Sequence, residues 1–334
     1  MARYLFFCFL LQYSLLSFGQ NIKMISIEVG NARPMNLSEI AKEVVPIVLE
    51  EPSGGIQNVL LTDEYLFVAT AGYYIVQYDL SGKFIRAINC GGAILNNVAS
   101  DITKKELYVP VHDKIKCFDY SGNLKKEYSL KTDAIHCFYH KDILWVPSIA
   151  FQPDNSVDYK INRIDLLTGK VTTLPFEKKD CPKTEDGRMI PISAASRLTL
   201  YNDEVIASFE FDSVIYKIQH NKVIPFIQWN ISPRAQSNAD RSPRASGFIG
   251  YYLFIHYRRN HQFYTFFENM KTGKKNNASE VIDDIFHTSG DCRILPLNKT
   301  GCFCFIKDKS EMKGNSIRNI PLKNGPVVFI VKTK

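Results

Sequence analysis

The sequence predicts an all-β fold: a six-bladed β-propeller with four-stranded antiparallel blades, whose ring is closed by an N-terminal strand that completes the last blade. Three observations support this prediction. A hairpin with a similar turn recurs along the chain, a second series of strands recurs between the hairpins, and one apolar strand near the N-terminus has no partner nearby in the sequence. Repeats of about 40–50 residues that each hold several strands are typical of propeller blades.

The recurring hairpin consists of a strand, a tight turn and a second strand. Its first two copies read YYIVQYDLSGKFIRAI over 73–88 and KIKCFDYSGNLKKEYSL over 114–130. Further copies follow over 159–176, 214–227 and 263–275. The turns carry Gly82, Gly122, Gly169, Asn221 and Gly273. Tight hairpin turns need residues that tolerate positive φ, which explains glycine and asparagine at these positions.

A second series of apolar strands alternates with the hairpins. Its six members cover 65–69, 106–111, 143–146, 204–209, 252–257 and 301–306. Six copies over residues 20–334 leave about 50 residues per unit, which is room for four short strands. Two stacked β-sandwiches are the alternative fold, but a repeat that runs evenly from end to end favours a ring.

The two ends of the chain predict how the ring closes. The last unit has strands at 301–306 and 327–331, and the chain then stops one strand short. The apolar segment 44–49 (VVPIVL) is predicted to supply the missing strand, so that no blade edge stays open. One helical turn is predicted within 37–45.

The first residues have the pattern of a secretory leader. Arg3 precedes the apolar stretch 4–16, and Ser17 and Gly19 place small residues before a cleavage site after Gly19. The stretch is too short to span a bilayer, which needs about 20 residues. No small-residue and cysteine lipobox follows, so a lipid anchor is not expected. We therefore predict a signal peptide over 1–19, a single propeller domain over 20–334, and a periplasmic or secreted protein.

Composition and charge exclude several classes of protein. The chain has 334 residues, 45% of them hydrophobic, which is too apolar for a disordered chain. The net charge is +7, from 41 Lys and Arg against 34 Asp and Glu, and it is spread along the chain. No nucleic-acid partner is therefore predicted, whereas an acidic ligand remains compatible with this charge. No later segment is apolar for long enough to predict a transmembrane span.

The cysteines do not have the pattern of a disulfide framework. Beyond the leader, the chain has an odd number of them at irregular spacings: Cys90, Cys117, Cys137, Cys181, Cys292, Cys302 and Cys304. None of the spacings matches the paired ligands of a zinc site. Most are predicted to be buried apolar residues. The alternative is that one or two disulfides form in an oxidising compartment.

Several of these segments resemble a known family. The lead-in 35–50 (MNLSEIAKEVVPIVLE), the hairpins with DLSGKFIR and DYSGNLKK, and the strand at 212–218 (DSVIYKI) are similar to exported six-bladed propellers of Bacteroidetes, a group with NHL-like repeats. Residues 282–284 also resemble that family, although Phe286 and His287 depart from its Gly-rich continuation. The resemblance covers nearly the whole predicted domain and implies fold and export. It implies no catalytic residues, and the absent lipobox departs from the lipidated members.

The predicted topology places the long connections on one face. Within a blade the strands run outward as A, B, C and D, so that the D–A and B–C connections emerge on the face opposite the A–B and C–D turns. The long segments are 177–196, 230–246 and 276–289, all D–A connections, and 148–158, a B–C connection. Long connections in compact domains are usually functional, so this face is the predicted binding surface.

The candidate ligand-binding residues are on this face: Arg188, Arg234, Arg241, Arg244, Tyr257, Arg258 and Arg259. Planar guanidinium groups suit carboxylate, sulfate or phosphate, and tyrosine rings can stack on a sugar or a peptide. The alternative interpretation is that the arginines keep an exported surface soluble and that the tyrosines fill the core of a sheet.

The sequence contains no G-x-S-x-G elbow, no H-E-x-x-H pair and no Walker loop. We therefore predict a non-enzymatic binding module for a glycan, peptide or protein ligand, anionic in character, with no cofactor. The alternative is a lyase or a lactonase-like hydrolase with a divalent cation at the central axis. That alternative predicts several carboxylate or amide side chains that converge on the axial channel.

The leader gives the first testable prediction. When the full chain is expressed with its own leader in a Gram-negative host, the mature protein is expected to begin at Gln20, because the small residues before it form the cleavage site. Intact mass and N-terminal sequencing of the periplasmic fraction measure this. A mature protein that still begins at Met1 would contradict the prediction.

Overall fold

The computed structural model is a ring of six β-sheets. It describes residues 22–50, 55–70, 72–92, 97–134, 136–151, 156–174, 179–180, 197–209, 212–232, 244–260, 262–312 and 325–334. Strands that follow one another along the chain are hydrogen-bonded neighbours within each sheet, and they pair antiparallel. The predicted six-bladed propeller is therefore confirmed.

Three strands come before the first blade: β1 (Lys23–Glu28), β2 (Arg33–Asn36) and β3 (Ala41–Val48). Short 3₁₀ turns follow the first two, at Val29–Asn31 and Leu37–Glu39. The second is the helical turn predicted within 37–45, although it is shorter than that segment because β3 already begins at Ala41. The Asn36 and Glu39 side chains cap its backbone reciprocally.

Blades 1 to 3 follow in chain order, each listed here from strand A to strand D. Blade 1 has β4 (Ile56–Leu61), β5 (Tyr65–Thr70), β6 (Tyr74–Asp79) and β7 (Phe84–Asn89). Blade 2 has β8 (Ala99–Asp101), β9 (Glu106–Val111), β10 (Lys114–Asp119) and β11 (Leu124–Ser129). Blade 3 has β12 (Phe138–His140), β13 (Ile143–Phe151), β14 (Ser156–Asp165) and β15 (Val171–Leu174), and the short β16 (Lys179–Asp180) pairs with β14.

Blades 4 to 6 complete the ring. Blade 4 has β17 (Arg197–Tyr201), β18 (Glu204–Ser208), β19 (Val214–Gln219) and β20 (Lys222–Ser232). Blade 5 has β21 (Arg244–Ile249), β22 (Tyr252–Arg259), β23 (Gln262–Asn269) and β24 (Lys275–Ile282). Blade 6 has β25 (Leu295–Pro296), β26 (Cys302–Lys307) and β27 (Val327–Thr333), with a 3₁₀ turn at Lys309–Glu311.

The fourth strand of blade 6 is β3. It pairs antiparallel with β27, from Ala41 opposite Thr333 to Val48 opposite Val327. The prediction that an N-terminal strand completes the last blade is thus confirmed. Because β3 belongs to blade 6 and leads directly into blade 1, it ties the two ends of the ring together.

The apolar core is divided among the blade interfaces. Among the described residues, each of the six pairs of neighbouring blades shares its own buried cluster. The cluster between blades 6 and 1 includes Ile47 of β3, Val328 of β27, and Val59 and Val68 of blade 1. The stability of every blade therefore depends on its neighbours on both sides.

Two features of the N-terminal segment were not predicted. Strands β1 and β2 pair parallel with β20 and β24, and each adds a fifth strand to the outer edge of blade 4 or blade 5. Ile25 and Ile27 of β1 are buried in the cluster between these two blades. The segment therefore covers two sheet edges that would otherwise present unpaired backbone groups.

The hairpin turns have the backbone conformation that the sequence predicts. Gly82, Gly122, Gly169, Gly273 and Asn221 all have positive φ, between 59° and 89°. Gly82 is required for a second reason, because a Cβ there would lie 2.0 Å from the backbone oxygen of Val48. Blade 1 therefore meets the closing strand through a contact that only glycine permits.

Three of the connections predicted to be long contain strand where they are described, and residues 152–155 and 233–243 within them lie outside the described residues. Segment 148–158 is the paired end of a long hairpin, in which β13 and β14 remain in register from Ser148 opposite Lys160 to Phe151 opposite Val157. Segment 276–289 begins with most of β24, and segment 230–246 has strand at both ends. Most of segment 177–196 lies outside the described residues.

Ion pairs link neighbouring blades at the A–B turns. Lys105 contacts Glu64 at 2.8 Å and Lys104 contacts Asp142 at 2.6 Å. The pairs Lys141 with Asp203 and Lys299 with Asp63 are arranged in the same way. All four pairs are largely exposed, so each contributes little to stability. In each pair the positive charge of a lysine is balanced by a carboxylate of the neighbouring blade. No helix in the described part of the chain is both long and apolar enough to cross a membrane.

The closing strand gives a prediction about stability. Ile47→Ala is expected to lower the free energy of unfolding by about 2–5 kcal/mol, because Ile47 is 5% exposed within the cluster that joins blades 6 and 1. The matched control is Val45→Ala in the same strand, where Val45 is 44% exposed and the expected loss is below ~0.5 kcal/mol. Urea unfolding followed by circular dichroism measures both. Equal losses in the two variants would show that the ring does not depend on this contact.

Candidate functional site

The sequence-predicted arginines are only partly within the described residues. Arg188, Arg234 and Arg241 lie outside them. Arg244 begins β21, where the backbone is described and the side chain is not. These four residues therefore stay as predictions.

Tyr257, Arg258 and Arg259 lie at the end of β22, beside the B–C connection of blade 5. Tyr257 is fully buried: its ring stacks on Tyr264, with 5.2 Å between ring centroids, and its hydroxyl donates a hydrogen bond to Asn277 Oδ1 at 2.8 Å. Burial raises the pKa of Tyr257 to about 12. Its ring is covered by protein, as the core-filling interpretation expects.

The two arginines are half-buried on the same end of the blade. The guanidinium carbon of Arg258 lies 5.5 Å from the ring centroid of Phe263, and that ring is 46% exposed. This distance is within the range of a cation–π contact, which holds a guanidinium plane against a ring. Arg258 and Phe263 thus form a mixed cationic and aromatic surface at the B–C end.

A cavity of about 320 Å³ lies on the axis of the ring. Every blade contributes its A strand or the residues next to it to the lining. Asn58, Asn97, His136 and Arg197 line the end where the D–A connections arrive, and Asp101 lies toward the A–B turns. The cavity volume is near the lower limit of small-molecule sites, which is about 300 Å³.

Three polar side chains from successive blades form a hydrogen-bonded chain across this end of the cavity. Asn58 Nδ2 donates to Asn97 Oδ1 at 2.7 Å, and Asn97 Nδ2 lies 3.0 Å from His136 Nε2. Asn58 is the third residue of β4, Asn97 and His136 each lie two residues before their A strands, and 39 residues separate each from the next. The propeller repeat therefore brings together residues that are far apart in the sequence.

The electrostatics of this end are set by burial. Burial lowers the pKa of His136 to about 3, and the positive charge of the nearby Arg197 makes a smaller contribution in the same direction. Burial also lowers the pKa of His256 to about 3, and the positive charges of Arg197 and Arg293 make smaller contributions. Burial and Arg293 lower the pKa of Arg197 to about 10, so Arg197 remains charged at neutral pH. The two imidazoles are therefore neutral beside charged guanidinium groups.

Hydrogen bonds from Lys307 hold the segment that leads to Arg293. The buried Lys307 directs its ammonium group at the backbone oxygens of Ser289, Gly290 and Asp291, at 2.7–3.1 Å, and at Glu311 Oε1 at 3.1 Å. These bonds hold the backbone two to four residues before Arg293. The exposed Arg293 side chain is thus carried on an ordered segment near Arg197.

The enzymatic alternative places a divalent cation at the central axis. Among them, no group of three or more His, Cys, Asp and Glu side chains is placed to hold a metal ion. Amide side chains do converge on the channel, but Asp101 Oδ1 accepts hydrogen bonds from the backbone of Thr103 and Lys104 near the A–B turn. The converging amides agree with that alternative, and the guanidinium group of Arg197 lines the same end of the cavity.

Six of the seven cysteines beyond the predicted leader are described, and all six are free and buried: Cys90, Cys117, Cys137, Cys292, Cys302 and Cys304. Burial raises the pKa of Cys90, Cys292 and Cys304 to about 12. These thiols therefore behave as small apolar side chains, as predicted. Cys181 lies outside the described residues.

The axial residues were missed by reasoning from sequence. Asn58, Asn97 and His136 belong to no catalytic motif, and the search for binding residues followed arginines in long connections. The available signal was spacing, because the interval of 39 residues is close to the 40 residues that separate Gly82 from Gly122. Polar residues that recur at the repeat interval near the start of A strands are placed together at the axis.

Comparison with solved structures supports the fold. A Bacteroides fragilis protein designated as exported superposes with a TM-score of 0.67 at 13% sequence identity, over 93% of this chain and 100% of that chain. BamB from Moraxella catarrhalis has a TM-score of 0.44 at 12% identity, over 72% of this chain and 68% of that chain. The β-propeller domain of Cps50 from Myceliophteria thermophila has a TM-score of 0.45 at 7% identity, over 87% of this chain and 100% of that chain.

These comparisons show the fold alone. The TM-scores of BamB and Cps50 are below 0.5, so no functional conclusion is drawn from these two proteins. The sequence identity to the Bacteroides fragilis protein is too low to transfer a function. No protein-family model matches the chain, and no curated protein matches it in sequence. Membership of the NHL-like group therefore stays a prediction.

The buried imidazoles give a prediction about pH. His136 has a pKa of about 3 in the folded protein and about 6.5 when unfolded, so the unfolded chain binds the extra proton between these values. The free energy of unfolding should therefore fall as the pH drops from 6.5 toward 3, by up to ~1.4 kcal/mol per pH unit for each such histidine.

The variant that tests this is His136→Asn, whose unfolding free energy should depend less steeply on pH over that window than the wild type. Urea unfolding at several pH values measures the slope, independently of any uniform loss of stability. His220→Asn is the matched control, because His220 is exposed in a hairpin turn with a φ of 49°, which asparagine tolerates. An unchanged slope in His136→Asn would show that this imidazole is not buried as a neutral group.

Proposed function

We propose that this protein is an exported, non-enzymatic binding module that takes a glycan, peptide or protein ligand on the face of the D–A and B–C connections. The ligand is anionic in character. The Bacteroides fragilis neighbour is designated as exported, which supports the predicted leader. We also propose that the chain belongs with the Bacteroidetes propellers it resembles.

The observation that carries the proposal is the different chemistry at the two ends of the ring. At the A–B end, the lysines Lys104 and Lys105 each contact a carboxylate of the neighbouring blade. The D–A and B–C end also has a lysine–carboxylate pair, Lys114 with Glu127 at 2.9 Å, but the described residues there combine guanidinium groups with exposed rings as well. Arg258 lies over the half-exposed Phe263, and Arg293 is exposed near the axis.

Exposed aromatic residues extend this surface beyond blade 5. Tyr73, in the B–C connection of blade 1, is 56% exposed, and Tyr74, the first residue of β6, is 45% exposed. Exposed rings of this kind stack on sugars and on peptide groups, and they are enriched at binding surfaces. Arginine beside aromatic rings favours acidic ligands, because the guanidinium group pairs with carboxylate or sulfate in two parallel hydrogen bonds. Arg188, Arg234, Arg241 and Arg244 belong to connections that reach the same face, and we propose that they take part.

The test is a binding screen with the mature chain, residues 20–334, on a glycan array and a peptide array that include acidic members. We expect binding to acidic glycans or peptides. The double variant Arg258→Ala with Arg259→Ala should weaken it at least tenfold, as the loss of charged hydrogen bonds implies. Arg234→Ala with Arg244→Ala tests the predicted residues of the D–A connections in the same way.

The matched control removes the same charge at the opposite end of the ring. Lys170→Ala with Lys274→Ala changes two exposed lysines in C–D turns and should leave binding unchanged. If the control weakens binding as much as the arginine variants do, the effect comes from net charge and the proposed face is wrong. Absence of binding to any member of either array would contradict the proposal itself.

A further inference from the structure

The N-terminal strap, residues 23–36 with strands β1 and β2, is held on blade 5 at a buried carboxylate. Lys23 Nζ donates a hydrogen bond to Glu268 Oε1 at 2.6 Å and lies 3.4 Å from Met270 Sδ. Glu268 is only 3% exposed, so its carboxylate has little access to water. A buried charge that loses its partner of opposite charge is strongly destabilising. The docked strap therefore supplies the positive charge that stabilises this carboxylate of blade 5.

One amide joins the strap to the interior of blade 5. Asn277 Nδ2 donates to the backbone oxygen of Glu28 at 2.9 Å, and Asn277 Oδ1 accepts from the Tyr257 hydroxyl at 2.8 Å. The nitrogen of an amide only donates and its oxygen only accepts, so both bonds form in one orientation of the Asn277 side chain. The position of Glu28 therefore determines where the Tyr257 hydroxyl finds its acceptor.

The strap also packs in the cluster that contains the Tyr257 ring. Ile25 and Ile27 are each 1% exposed, Tyr257 is 0% exposed, and all three belong to the cluster between blades 4 and 5. Protein interiors are close-packed, so the loss of one part of a cluster is felt by the rest. The surroundings of Tyr257 thus depend on the strap both at the hydroxyl and around the ring.

Tyr257 lies next to the exposed surface at the B–C end of blade 5. In the ladder of β22 and β23, Tyr257 is opposite Tyr264, and the following pair is Arg258 opposite Phe263. The tyrosine rings stack with 5.2 Å between their centroids, and the Arg258 guanidinium carbon lies 5.5 Å from the Phe263 ring centroid. Neighbouring pairs of a ladder share the same two backbones, so the stacked tyrosines position the strands that carry Arg258 and Phe263.

We infer that the N-terminal strap positions the cationic and aromatic surface at the B–C end of blade 5, through Asn277 and Tyr257, and that this surface binds its ligand more tightly when the strap is docked. The inference deepens the proposed function by naming a regulatory element of that site. It rests on the proposed function for the ligand, whereas the positioning is a property of the free protein. Because coupling between two sites is reciprocal, a ligand on this surface stabilises the docked strap.

The experiment begins with hydrogen–deuterium exchange of the mature chain without ligand, read by mass spectrometry on peptides from the strap and from the B–C end of β22 and β23. Lys23→Met removes the ion pair with Glu268, which involves no residue of the B–C end. We expect exchange to become about threefold faster or more, both in the strap and at the B–C end. Lys23→Arg keeps the positive charge and should exchange like the wild type. In Asn277→Leu, where the link is already cut, adding Lys23→Met should change the B–C end little further.

Lys125→Met is the matched control, because the Lys125 side chain is 48% exposed and pairs with the largely buried Glu106 on blade 2. It removes the same charge and should leave exchange at the B–C end of blade 5 unchanged. If Lys23→Met does not fold, Asn277→Asp keeps the acceptor for the Tyr257 hydroxyl, loses the donor to Glu28, and should accelerate exchange at the same places. Thermal unfolding of each variant verifies that it is folded.

The second measurement is the affinity of the glycan or peptide that the arrays identify, titrated into the same variants by calorimetry. Lys23→Met should weaken binding about fivefold, although Lys23 is not part of the surface, because the surface loses its positioning. Lys125→Met lowers the net charge equally and should bind like the wild type.

Three results would overturn the inference: unchanged exchange at the B–C end in Lys23→Met or in its replacement Asn277→Asp, an equal effect of Lys125→Met at that end, or unchanged affinity in a Lys23→Met protein whose strap exchanges faster. The outcome is separable from that of the proposed function. Coupled exchange without capture of any array ligand would support the positioning by the strap and contradict the outer surface as a binding site. Array binding that depends on Arg258 and Arg259 but not on Lys23 would do the reverse.

Discussion

The structure depends on the pairing of β3 with β27, because this pairing closes the ring. Each blade has two apolar faces and can bury them only against its two neighbours, so the six clusters form a continuous circuit. Without the closing strand, blade 6 would lack its outer strand and the cluster between blades 6 and 1 would lose Ile47. The close approach of Gly82 to the Val48 backbone shows how tightly the first hairpin fits against this strand.

Closure also creates the site at the axis. A ring brings the starts of the A strands together around one cavity, so that single residues from different blades meet there. The surrounding protein removes water from these groups, which disfavours the charged forms of His136 and His256 while Arg197 keeps its charge. The same geometry that stabilises the fold thus produces a set of hydrogen-bond donors with a small positive charge. The function that we propose uses this end of the ring and the surface around it.

Much of the fold could be predicted from the sequence, because its signals are local or repeat at a fixed interval. Glycine or asparagine in the turns predicts the hairpins. The missing strand of the last unit indicates where segment 44–49 must pair. Strands β1 and β2 escaped prediction, since their parallel pairing has no adjacent turn and their partners lie about 200 residues or more away. Lengths of connections were overestimated where strands such as β24 continue past the expected turn.

The site was harder to predict than the fold for the same physical reason. Arginines in connections are conspicuous in a sequence, whereas Asn58, Asn97 and His136 become a group only when three blades are superimposed on one axis. Tyr257 shows the opposite case, because an aromatic residue beside two arginines suggests a binding surface but here fills the core of blade 5. Burial decides between these readings, and burial depends on the closed ring.

The most direct measurement of ring closure is hydrogen–deuterium exchange of the mature chain and of Ile47→Ala, read by mass spectrometry on peptides from all six blades. The account predicts that Ile47→Ala increases exchange around the whole ring, because each blade buries its apolar faces only against its two neighbours. Faster exchange confined to β3 and β27, with the other blades unchanged, would contradict it.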